Sequence, residues 1–266
     1  MKLFSIISFS FLAIASCNNT NAVETSNSST SSENIEAVKP QFQMVAQYPH
    51  NATSFTEGLE FKDSTLYEST GLNAQSKLCR VEIKTGKELL KIDLDKKYFG
   101  EGITMLNGKI FQLTYQTEKA FLYDAKTFKK LKEFNYKGEG WGMTNDGKQI
   151  IMSNGSNNLI YRNATTFAEE NTIAIFDENG PLGNINELEY VDGFIYANIW
   201  QTNYIVKIDP KQGKVVAKID CTNLINQYLP NMDTNNVLNG IAYNSTTKNF
   251  YITGKNWPIL FEIKLN

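Results

Sequence analysis

The chain has 266 residues, of which 41% are hydrophobic and 12% aromatic, with a formal net charge of −2 and one histidine, His50. This length suits one large domain or two small ones, and so small a net charge offers no basic field, which excludes nucleic acid as a partner. A single imidazole excludes a multi-histidine zinc site, confines any Ser-His-Asp triad to His50, and leaves proton transfer to Glu, Asp, Lys, Tyr or water.

The N-terminus reads as a targeting segment. Lys2 supplies a short positive region, and Leu3 to Ile14 is an apolar run too short to span a bilayer as a helix. Ala15 and Ser16 precede Cys17, and LAIASC (12–17) resembles the lipobox of bacterial lipoproteins. That resemblance implies removal of residues 1–16 and a lipid on the Cys17 sulfur. The protein would then be exported, periplasmic or at the cell surface, and would touch a membrane only through its lipid. An ordinary signal peptide with an incidental cysteine is the alternative. Residues 17–39 are rich in Asn, Ser and Thr and poor in large apolar side chains, so a flexible tether is expected there. Cys79 and Cys221 read as two buried free thiols, with pairing in an oxidising compartment left open.

From residue 40 onward the chain repeats. Five segments open the units: TEGLEF (56–61), GEGITM (100–105), GWGMTN (140–145), NELEYV (186–191) and NGIAYN (239–244). Each is followed, across a turn signal such as Asn-Gly or Asp-Gly, by an apolar-alternating strand. These second strands begin at Leu66, Ile110, Ile150, Ile195 and Phe250, a period of about 45 residues. Third strands follow in LCRVEI, AFLYDA, LIYRNA, YIVKID and ILFEIK, and fourth strands in ELLKIDL, KKLKEFNY and VVAKIDC. Four strands per repeat at that period mark propeller blades. The expectation is an all-β, five-bladed β-propeller over residues 40–266, with four antiparallel strands per blade. The last unit stops after its third strand, so FQMVAQY (42–48) is free to close the ring and remove its open edges. An antiparallel sandwich is the competing architecture. The insertion 220–237 carries one short helical pattern, TNLINQYLP, with Thr222 as its expected cap and Pro230 as its stop, and is a candidate lid.

In a propeller, the starts of the first strands and the ends of the second strands meet on one axis. Those positions hold Phe55, Glu57, Phe99, Glu101, Trp141, Asn186, Glu187 and Asn239, then Tyr115, Asn198, Trp200 and Lys255. Aromatic walls with a few carboxylates, amides and one lysine make a pocket inventory. Taken singly, each has a bland reading: the tryptophans as core, Glu101 and Lys255 as solvated rim. A carboxyl among aromatics is costly to ionise, which suits a proton shuttle near neutral pH.

The motifs SFTEGLEF, LYESTG, YFGEGIT, FQLTY, GEGWGMTNDGKQIIMSNGS, INELEYVDGFIYANIWQTNYIVKIDP, VLNGIAYN and YITGKNWP occur in order. Together they resemble the glutamine cyclotransferase family of plant and bacterial type, from about residue 42 to 264. The resemblance implies a five-bladed propeller and an acyl transfer that closes N-terminal Gln of peptides into pyroglutamate with loss of ammonia. It implies Glu101 as the proton-transfer carboxylate, with Lys255 and Asn186 assisting catalysis, and a substrate pocket of Phe55, Glu57, Phe99, Tyr115, Trp141 and Trp200. It calls for no cofactor, allows a structural calcium on the axis, and suggests a monomer acting on Gln-headed peptides or proteins. Plant members carry Gln where this chain has Glu57, Trp is usual where it has Tyr115, and SDGS is more usual than SNGS at Asn154. Two other classes stay open: a non-catalytic peptide- or glycan-binding surface propeller, and a metal-dependent, lactonase-like hydrolase with a calcium cage from Glu57, Glu101, Glu187, Asn186 and Asn239.

Overall fold

The computed structural model describes residues 37–266; the expected signal segment, Cys17 and the tether as far as residue 36 lie outside the described residues. Alternation of apolar and polar side chains, broken by Asn-Gly, Asp-Gly and similar turns, sets up successive four-stranded antiparallel sheets. Blade 1 comprises Thr56–Lys62, Thr65–Thr70, Lys77–Glu82 and Lys87–Asp93, and blade 2 comprises Gly100–Leu106, Lys109–Thr114, Lys119–Asp124 and Lys130–Asn135. Blade 3 comprises Met143–Asn145, Gln149–Met152, Asn158–Asn163 and Glu169–Ala174, and blade 4 comprises Ile185–Val191, Phe194–Ile199, Tyr204–Asp209 and Lys214–Asp220. Blade 5 takes Leu238–Asn244, Asn249–Gly254 and Ile259–Leu265 from the end of the chain and Phe42–Pro49 from its beginning, the last two antiparallel. The ring is therefore closed by the N-terminal strand, as expected. First strands of consecutive blades touch one another around the axis, that of blade 5 against that of blade 1.

The apolar faces are buried between blades. Leu78 of blade 1 packs with Ile110 and Phe121 of blade 2; Phe111 of blade 2 with Ile150 of blade 3; Leu159 of blade 3 with Ile195 of blade 4. Ile205 of blade 4 packs with Phe261 of blade 5, and Tyr251 of blade 5 with Leu66 of blade 1. Each such fully buried side chain contributes about 1.5–3 kcal/mol. Cys79 and Cys221 sit in these layers as free, buried thiols.

Three details differ from the sequence-based expectation. Ala37 and Val38, assigned to the tether, belong to the fold: Ala37 is buried, and Val38 exchanges backbone hydrogen bonds with Val216 (3.1 Å) and Lys218 (2.9 Å). The helix Thr222–Tyr228 begins after Cys221, not at a Thr222 cap; the Asp220 carboxylate accepts the Thr222 N–H at 2.8 Å, satisfying one free amide of the first turn. The first strand of blade 3 is only three residues long, because just before it Trp141 and Gly142 both face Ser153: the Trp141 N–H bonds the Ser153 carbonyl and the Ser153 N–H the Gly142 carbonyl, each at 3.0 Å.

Candidate active site

The pocket is made by an irregularity that recurs. In four blades the register of the first strand slips against the second: between Thr56 and Gly58, Gly100 and Ile103, Ile185 and Leu188, and Leu238 and Ile241. Such bulges re-aim the side chains inside them, and the slips hold Glu57, Glu101, Asn186 with Glu187, and Asn239. Crowding on the axis demands small residues there. The Gly102 N–H bonds the Trp141 carbonyl at 2.8 Å, and a Cβ on Gly142 would lie 2.0 Å from the Asn186 carbonyl oxygen. The second strands end just beside this opening and deliver Tyr115, Trp200 and Lys255.

Phe55, Glu57, Phe99, Glu101, Tyr115, Trp141, Asn186, Trp200 and Lys255 line one cavity of about 270 Å³. All nine residues singled out in the sequence therefore meet. Asn235 lines it as well. It lies in the 220–237 insertion, which has no counterpart in the other repeats, so only the insertion itself marked it. Trp257 anchors this segment by donating its indole N–H to the Asn236 carbonyl at 2.7 Å.

The walls are two aromatic groups. Trp141 and Trp200 meet edge to face at 5.7 Å. Phe99 stands between Phe55 (6.2 Å) and Tyr115 (5.7 Å). At the base, Lys255 Nζ donates to Glu57 Oε1 at 2.6 Å and lies 4.5 Å from the centre of the Phe55 ring. The other Glu57 oxygen accepts from Asn239 Nδ2 at 3.0 Å. Glu101 is only 5% exposed, and its carboxyl has no hydrogen-bond or ion-pair partner among the described residues. Burial pushes it well above the usual carboxylate range, the Glu57 charge adds to this, and Lys255 opposes it. Glu57 is also raised by burial, against the pull of Lys255. The Asn186 carboxamide, 3% exposed, makes no hydrogen bond among the described residues, and its Oδ1 is unsatisfied there. A buried carboxyl and a buried carboxamide without partners are costly. In a cavity they are groups poised to meet a ligand.

The other inward residues are structural. Glu187 accepts the N–H of Leu59 at 3.2 Å and of Ile241 at 2.8 Å, tying blade 4 to blades 1 and 5. Asn198 accepts the Gly240 N–H at 2.9 Å. Glu57 and Glu187, two of the residues considered for a calcium cage, are engaged in this way, while Asn186 Oδ1 and Asn239 Oδ1 have no partner among the described residues. No three His, Cys, Asp or Glu side chains gather to hold a metal among the described residues. His50 is buried away from the cavity beside Glu68 and heads no triad.

Comparison with known proteins agrees with this geometry. The family described as Glutamine cyclotransferase matches residues 12–265. The glutaminyl-peptide cyclotransferase of Arabidopsis thaliana is 35% identical over 228 residues, covering 85% of this chain and 71% of that protein. The crystal structure of Myxococcus xanthus glutaminyl cyclase aligns with a TM-score of 0.82 at 31% identity, covering 87% of this chain and 99% of that one.

Proposed function

Because this chain belongs to the glutamine cyclotransferase family, we propose that its cavity binds the N-terminal glutamine of peptides or proteins and closes it to pyroglutamate by proton transfer through Glu101. The observation that carries this reading is the Glu101 carboxyl. It is buried among aromatic rings, has no partner of its own among the described residues, and lies beside a lysine already committed to Glu57.

The reaction forms one C–N bond and breaks another. The substrate's α-amine attacks its own γ-carboxamide carbon, a tetrahedral centre forms, and the carboxamide nitrogen leaves as ammonia. The attacking nitrogen must lose a proton and the departing nitrogen must gain one. Glu101 takes the first proton and returns it to the leaving group, so no net proton is exchanged with solvent. A raised proton affinity suits both halves, because a strongly acidic carboxyl could not accept from an amine. Trp141, Trp200 and Phe99 hold the glutamine side chain folded back on its amine, a proximity effect. Lys255, with two N–H groups left after Glu57, and the unpartnered Asn186 carboxamide face the substrate carbonyl, where negative charge develops.

The N-terminal motif supports export, with cleavage before Cys17 and a lipid there as anchor; incorporation of labelled fatty acid that is lost in Cys17→Ser tests this. The reaction is tested by incubating residues 37–266 with Gln-headed peptides and measuring ammonia and the matching mass loss. A folded sample that leaves such peptides intact returns the chain to the non-catalytic class. Activity abolished by a chelator and restored by calcium returns it to the metal-dependent class.

A further inference from the structure

One carboxylate outside the cavity lining ties two of its walls together. Glu139 lies in the loop between blades 2 and 3, part-buried and, among the described residues, with no lysine or arginine within 4.0 Å. Its Oε2 accepts the indole N–H of Trp141 at 3.0 Å, and its Oε1 accepts from Gln116 Nε2 at 2.8 Å. Gln116 follows Tyr115 directly in the chain, so the carboxylate links Trp141 to the segment that carries Tyr115, whose phenol is pushed up first by burial and then by the charge of Glu139. Tyr115 and Trp141 come from different blades, so packing within a blade cannot fix their relation.

The surrounding backbone is built to hold this carboxylate still. Gly140 N–H bonds the Tyr115 carbonyl at 3.0 Å, and the Tyr136 hydroxyl, which donates to the Thr114 carbonyl, packs against Gly140 so closely that a Cβ there would be 2.3 Å away. On its far side Trp141 rests on Gly155, where a Cβ would come within 2.6 Å of the ring. The indole is thus set by a glycine floor, by Trp200, and by a single hydrogen bond from its one polar atom.

We infer that Glu139 is a positioning residue of the reaction, which fixes Trp141 against Tyr115 and so sets the width of the slot that folds the substrate's side chain. This rests on the proposed reaction, but the geometry is tested separately. Because a misplacement of about 1 Å in a substrate-holding wall can cost on the order of 100-fold, the effect should exceed that expected of a rim residue.

Glu139 is part-exposed in a loop, so truncation leaves the core intact, which an unchanged thermal midpoint verifies. In Glu139→Ala, KM for a Gln-peptide should rise about 10- to 100-fold, the size of a lost hydrogen bond to a charged group, with kcat falling less. Acrylamide quenching of indole emission should increase, because Trp257 is buried and the remaining tryptophans are the pocket pair. Glu139→Gln retains an amide oxygen for Trp141 and should restore both readouts to within about threefold of the parent. Unchanged KM and quenching in Glu139→Ala, or failure of Glu139→Gln to rescue either, overturns the inference. The quenching comparison needs no turnover. If the parent protein fails to act on Gln-peptides, the reaction falls while the placement of Trp141 is still decided.

Discussion

Glu57 and Lys255, 198 positions apart in the chain, meet at 2.6 Å beside Glu101. The contact decides the electrostatics of the cavity. Lys255, the cation that acts on Glu101 among the described residues, is instead neutralised by a second carboxylate. Glu101 is left with burial and like charge acting on it, and both favour its protonated form.

Glu101→Gln keeps the shape of the side chain and removes its proton exchange. Turnover of a Gln-peptide should fall about 10²- to 10⁴-fold, the usual weight of general acid–base assistance, with the thermal midpoint unchanged or raised. Ammonia release measured beside a melting curve checks both. Near-parent turnover would remove Glu101 from the mechanism.

Glu57→Gln should move the acid limb of kcat/KM to lower pH. The sign follows from the contacts. Glu57 raises the proton affinity of Glu101 by its charge and occupies the lysine that would lower it. Losing that charge frees Lys255, so Glu101 ionises at lower pH and is a competent base earlier in the titration. A pH profile of kcat/KM for the two proteins checks this. An unmoved or upward-shifted limb contradicts the electrostatic assignment.

Trp141→Ala removes one wall of the slot and half of the 5.7 Å tryptophan pair. KM should rise at least about tenfold, with a smaller fall in kcat, as expected for a buried aromatic anchor. Steady-state kinetics on one Gln-peptide suffices. Unchanged constants would put the folding wall elsewhere.

His50 sits where the closing strand joins the ring. Its Nδ1 faces the Trp257 carbonyl at 2.6 Å and its Nε2 faces Glu68 at 3.0 Å. Both partners accept, so the ring carries a proton on each nitrogen. Burial lowers its proton affinity, but the charge and hydrogen bond of Glu68 raise it further, for a net upward shift from 6.5. Glu68 is shifted down, because His50 outweighs its burial. A raised histidine contributes stability that is complete below its unfolded value of about 6.5 and is lost as pH rises through the folded one. The thermal midpoint should therefore decline above neutral pH, and Glu68→Gln should cost about 3–5 kcal/mol at pH 6 and flatten that decline. Melting curves between pH 6 and pH 9 decide it, and a parent midpoint that is level or rising across that range refutes the ion pair.

Much of the site was legible before the structure, because a repeat carries its own geometry. Five units with matching first and second strands imply a ring, and a ring brings equivalent positions together. Glu101, Trp141 and Lys255 could thus be grouped although nothing local connects them. Asn235 and Glu139 could not. Asn235 lies in an insertion with no equivalent in the other blades, and Glu139 acts on two blades from a loop whose course no periodicity describes.

What the residues alone determined is the number of blades, their strand order and the closing strand, since hydrophobic alternation and turn chemistry act over short distances. What only the tertiary structure decided is which way the key side chains point. Glu57 and Leu59, Glu101 and Ile103, Asn186 and Leu188, and Asn239 and Ile241 are each two apart, so an unbroken strand would send both members of a pair to the same face. Leu59, Ile103, Leu188 and Ile241 are buried in the layers between blades. The polar partners escape that fate because each lies in a bulge that turns it toward the axis. Those bulges arise from the crowding of five strands around one line, a constraint that exists only once the ring has closed.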